Sequence, residues 1–68
     1  MAKQSTIAGK IREARKKSGL SQDKLAREAG VAYNTIVKIE SGENPNPTVV
    51  TLKKIASALK VDVGDLIQ

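Results

Sequence analysis

The sequence predicts a small all-α domain of five short helices. Three observations carry that reading: apolar residues recur with a 3.6-residue period, no alternating apolar run reaches five residues, and capping residues head the periodic segments. With 68 residues the chain is expected to form one domain, 1–68. A domain this short buries only about 60% of its unfolded surface, so a thin core is expected.

Each element has a local reason. Ile7, Ile11 and Ala14 fall at i, i+4 and i+7 of a first helix, with Ser5 or Thr6 as its N-cap and Gly19 as its stop. Ser21 caps the second helix, and Leu20 before the cap and Leu25 at its fourth position have the spacing of a hydrophobic staple. Leu25, Ala26 and Ala29 face inward, and Gly30 ends this helix after about two turns. Ile36 and Ile39 mark the buried stripe of a third helix, which Ser41-Gly42 closes. Pro45 and Pro47 lack the donor N–H, so the segment between the third and fourth helices cannot be helical. Thr48 caps the fourth helix, whose apolar face is Val49, Leu52, Ile55, Ala56 and Leu59. Asp62 caps a short fifth helix, with Asp65 three residues on and a second staple from Val61 to Leu66.

Composition narrows the function classes. Cysteine and histidine are both absent, which removes disulfides, thiolate zinc sites and the commonest general base and metal ligand. No metal, no cofactor and no small-molecule ligand are implied, since the acidic residues scatter without metal-ligand spacing. Gly9-Lys10 lacks the flanking residues of a phosphate-binding loop, and catalysis is not expected. No apolar run approaches the roughly 20 residues of a membrane span, and the N-terminus lacks the apolar stretch of a signal peptide. A cytoplasmic protein is the expectation.

Twelve basic residues stand against seven acidic ones, and the excess is uneven. Residues 1–38 carry nine basic and three acidic side chains; residues 39–68 carry three and four. A one-sided basic surface suits a polyanion, whose condensed counterions are released on binding. Lysines that merely solubilise exposed helix faces are the alternative. Tyr33 is the one aromatic residue, so stacking platforms for single strands are nearly excluded and double-stranded DNA remains.

The second helix, a tight turn at Gly30 and the third helix together have the size of a helix-turn-helix. The pattern Ser21-Gln22-x-x-Leu25-Ala26-x-x-x-Gly30-Val31, followed by Ile36-x-x-Ile39-Glu40-x-Gly42, resembles the Cro/repressor-type helix-turn-helix family. Pro47-Thr48, Leu52, Ile55-Ala56, Ala58-Leu59 and Val61 continue the match. The likeness runs over roughly residues 7–67 and implies a lambda-repressor-like, DNA-binding fold of the xenobiotic-response-element type. Two positions depart from it. Ala32 stands where the family often has a capping Ser or Thr, and Lys60 where it commonly has Gly. The fourth helix must still stop there, so a positive φ is expected at Lys60.

The resemblance implies that the third helix lies in a major groove. With Ile36 and Ile39 inward, steps of roughly 100° put Asn34 and Ser41 opposite the core, with Val37 and Lys38 beside them and Tyr33 on the flank. Asn34 can pair with adenine and Lys38 with guanine, while Val37 and Tyr33 can touch thymine methyls. Tyr33 could equally bond a phosphate, and the whole set could be a plain solvated face. Gln22 starts the second helix, where free N–H groups and the helix dipole suit a phosphate oxygen. Thr35, Lys10, Asn44 and Asn46 are weaker phosphate candidates, and both asparagines could be ordinary turn residues. By the family pattern, Arg15 and Glu40 form an ion pair joining the first and third helices.

A homodimer on a palindromic operator is the expected working unit, because two helices about 34 Å apart read two half-sites. Val63, Leu66 and Ile67 are the candidate dimer surface, with packing inside the monomer as the alternative. Two rivals share much of this chemistry. One is an antitoxin-like protein-interaction module with secondary DNA binding, which an exposed apolar patch around Val37, Val50 and Val63 would favour. The other is a restriction–modification controller, which differs only in its operator's setting.

Overall fold

The computed structural model of the chain describes residues 6–67 and contains five helices: α1 (Ile7–Lys17), α2 (Gln22–Ala29), α3 (Tyr33–Ser41), α4 (Val49–Leu59) and α5 (Val63–Ile67). Local chemistry sets their starts. Thr6 Oγ1 accepts the Gly9 N–H at 3.0 Å, so Thr6 caps α1; the alternative cap, Ser5, lies outside the described residues. Ser21 Oγ accepts the Lys24 N–H at 3.0 Å, and Thr48 Oγ1 the Thr51 N–H at 3.1 Å. Ala32 heads α3 with extended backbone and no side-chain cap.

Three helices end in one motif. Leu20 N–H reaches the Arg15 carbonyl, Val31 N–H that of Ala26 and Val61 N–H that of Ala56, each at 3.0–3.1 Å around a left-handed residue. The next residue then heads the following helix, so from the left-handed residue to the next helix each link runs Gly19-Leu20-Ser21, Gly30-Val31-Ala32 and Lys60-Val61-Asp62, with Ser18 as one extra residue before the first. Its apolar middle residue packs on the core in all three cases. At Gly30 (φ 72°) a Cβ would meet nothing within 4 Å, so conformation rather than space selects glycine. Lys60 takes the same conformation with a side chain, φ 61°, as its sequence position predicts.

These links fold the helices around a single core. Ile11, Leu25, Ile36, Ile39, Ile55 and Leu66 are its fully buried large side chains, at least one from every helix. α2 packs on α3 and α4, α1 on α3 and α5, and α4 on α5. The small Ala26, also buried, lies on the helix that crosses both α3 and α4.

Three expectations need correction. Leu66 is 1% exposed, so it belongs to the monomer core and not to a dimer surface; the staple geometry turns it inward while Ile67 stays 54% exposed. Val49 is also exposed, because the first residue of α4 lies beyond the edge of the core that Leu52 reaches. At the start of α5, the bond runs from the Asp62 N–H to Asp65 Oδ2 at 3.2 Å. Asp65 therefore supplies the capping contact.

Candidate nucleic-acid interface

α3 presents its outer face because its inner face is fixed. Ile36 and Ile39 are buried, which leaves Tyr33, Asn34 and Lys38 exposed and Thr35 and Val37 half-buried. The five candidate residues thus share one short helix, of which Tyr33 is the first residue. Among the described residues, none offers a hydrogen-bond partner to the polar side-chain atoms of Tyr33, Asn34 or Lys38. All three are exposed to solvent.

The far end of α3 is held by Glu40, a carboxylate only 4% exposed. Arg15 of α1 meets it side-on, Nε to Oε2 at 2.7 Å and Nη2 to Oε1 at 3.0 Å. Arg15 Nη1 also donates to the Leu20 carbonyl at 2.8 Å, so one guanidinium ties α1 to its own exit loop and to α3. Hydrogen bonding to Glu40 raises the Arg15 pKa above its ordinary value; burial opposes the rise and the charge of Glu40 adds to it. Among the described residues no buried side-chain nitrogen or oxygen lacks a partner.

Two further contacts converge on Glu40 that sequence reading did not foresee. Arg12 Nη2 donates to the Glu40 carbonyl at 2.9 Å, and Gln22 Nε2 donates to Oε1 at 3.1 Å. The spacing of Arg12 and Arg15, three apart on one helix face, was the available signal for the first. Gln22 stands at the start of α2, as expected, but one of its N–H groups is already engaged.

The remaining candidates divide. Asn44 Oδ1 accepts the Asn46 N–H at 3.2 Å, and the Asn44 N–H donates to the Lys38 carbonyl at 3.0 Å. Asn44 therefore shapes the turn after α3, with Asn46 exposed beside it. Lys10 lies elsewhere: with Lys17, Ala14, Asp65 and Leu66 it lines a cleft between α1 and α5. The structure separates it from the α3 set. Val37, Val50 and Val63 sit on three different helices, and of them Val50 alone is largely exposed.

A family model described as helix-turn-helix, HTH_3, matches residues 11–66. The chain belongs to the helix-turn-helix family. Its members are transcriptional regulators rather than enzymes. The HTH-type transcriptional regulator SlrR of Bacillus subtilis is 43% identical over 56 residues, covering 82% of this chain and 37% of SlrR. The chain spans well under half the length of that relative. Among solved structures, the biofilm master regulator SinR in complex with DNA superposes with a TM-score of 0.87 at 36% identity, over 90% of this chain and 97% of that one. The restriction–modification controller protein C.AhdI of Aeromonas hydrophila gives 0.85 at 30% identity, over 93% and 94%. The five-helix, lambda-repressor-like arrangement expected from the sequence is therefore the one this helix-turn-helix domain adopts.

Proposed function

We propose that this chain is a sequence-specific regulator of transcription that binds double-stranded DNA with α3 in the major groove. The observation that carries the reading is the free polar face of α3, held rigid from behind by Ile36, Ile39 and the Arg15–Glu40 pair. The likeness to SinR, solved with DNA, supports it. Asn34 reads adenine and Lys38 guanine, Val37 and Tyr33 meet thymine methyls, and Gln22, Thr35, Asn44 and Asn46 contact phosphates. Lys10, on the α5 side of α1, is left out of this set. The working unit is a homodimer on a palindromic operator, with Val63 and Ile67 at the subunit contact, and it acts as a repressor.

Selecting bound duplexes from a random DNA pool tests this directly. The expected result is a two-fold-symmetric site with half-site centres about 34 Å apart. If each subunit neutralises about four phosphates, log K against log[salt] falls with a slope of roughly −7 for the dimer. No enriched site and a slope near zero overturn the reading.

A second reading is a restriction–modification controller, favoured by the likeness to C.AhdI over nearly the whole of both chains. It uses the same DNA chemistry. A selected operator lying upstream of a nuclease or methyltransferase gene would support it.

A further inference from the structure

Gln22 Nε2 carries two hydrogens, and Glu40 Oε1 takes one of them. That bond decides which end of the amide can face outward. A free glutamine amide turns about a broad, roughly two-fold terminal torsion and offers its carbonyl as readily as its NH₂. A phosphate oxygen only accepts, so the carbonyl end is useless to it. An ionised carboxylate also only accepts, so Glu40 can hold Gln22 only through the NH₂. The second N–H of that NH₂ diverges from the first and has no partner among the described residues. Glu40 cannot rotate to follow the amide, because Arg15 grips both of its oxygens. The same guanidinium offsets a negative charge that would otherwise repel a phosphate nearby.

We propose that Glu40 is a positioning residue for the DNA-backbone contact: it fixes the Gln22 amide so that one N–H is spent inside the protein and the other is presented to a phosphate. This rests on the DNA-binding reading above. Arg15, Glu40 and Gln22 then form one chain of hydrogen bonds from α1, through the recognition helix, to the start of α2.

The test combines a spectroscopic signature with a binding cycle. In the free wild-type protein, one Gln22 Nε2 proton should be shifted downfield and protected from exchange, and adding the selected duplex should move the other. A Gln22 Nε2 proton pair with the shifts and exchange rates of a free glutamine amide overturns the proposal without any variant having to fold. Duplex affinities are then compared for wild type, Gln22→Ala, Glu40→Gln and the double variant, on the selected site and on an unrelated duplex, with circular dichroism confirming the folded fraction. Gln22→Ala should weaken both duplexes by about three- to tenfold, the value of one hydrogen bond. Glu40→Gln can offer Gln22 either end of its own amide and also loosens the Arg15 pair, so it should weaken binding in both backgrounds, but by a clearly larger factor when Gln22 is present than when Gln22 is already Ala. Equal losses in both backgrounds overturn the proposal, since Glu40 then acts only as a strut. Loss of binding in Asn34→Ala with Gln22→Ala unaffected also overturns it while leaving DNA binding intact. A wild-type protein that binds neither duplex overturns both.

Discussion

Arg15 and Glu40 are 25 residues apart in sequence and meet through two parallel hydrogen bonds of 2.7 and 3.0 Å. Their side chains are 13% and 3% exposed, so the pair is largely withdrawn from solvent screening. It ties α1 to the C-terminal end of α3, while the Gly30-Val31-Ala32 link from α2 holds the N-terminal end. The orientation of α3 thus depends on both.

A double-mutant cycle on Arg15→Met and Glu40→Gln should give a coupling free energy above the roughly 0.2–1 kcal/mol of exposed pairs. Either single change strands a partner in a buried position and should cost about 3 kcal/mol of unfolding free energy. Urea denaturation of the four proteins measures it. Coupling within error of zero would mean that the apolar contacts alone place α3. The exposed Asp23–Arg27 pair, 3.2 Å apart on α2, should show almost none and serves as the control.

Lys60→Gly should stabilise the protein by up to about 1 kcal/mol. The left-handed conformation costs a residue with a Cβ roughly 1–2 kcal/mol, and glycine's larger unfolded-state entropy takes back part of the gain. A thermal melt is sufficient. A lower Tm for the glycine variant would show that the unfolded-state term outweighs the strain.

The uncapped start of α3 offers a second stabilising change. Ala32 already has the extended backbone of an N-cap, φ −67° and ψ 145°, and only the side-chain acceptor is missing. Ala32→Ser should therefore raise unfolding free energy by about 1 kcal/mol. Chemical denaturation would show it, and an unchanged midpoint with unchanged m would indicate that water already satisfies those N–H groups.

Asn34→Ala should weaken the best duplex site by about 1–3 kcal/mol and relax preference at one base pair per half-site. The measurement is binding across a library of single-base variants of the selected site. A uniform loss over the whole library would assign Asn34 to the backbone instead of a base.

Sequence alone determined the five helices, the caps Ser21 and Thr48 and the glycine stops between them. The interactions that set them span no more than about five residues, so Ser21, Thr48 and Gly30 could be read from their neighbours, while the family resemblance marked the strained Lys60. The outer face of α3 followed from the same periodicity once Ile36 and Ile39 were assigned inward. Tertiary structure alone decided the rest. Whether Leu66 faced a partner or the core depended on α5 finding α1 and α4, which the local Val61–Leu66 spacing favoured without deciding. The convergence on Glu40 likewise joins Arg12, Gln22 and Arg15 across 18 to 28 residues. Family resemblance pointed to one of those partners. The other two became visible only when α1, α2 and α3 were packed together, because hydrogen bonds at 3 Å depend on helix placement that periodicity leaves open.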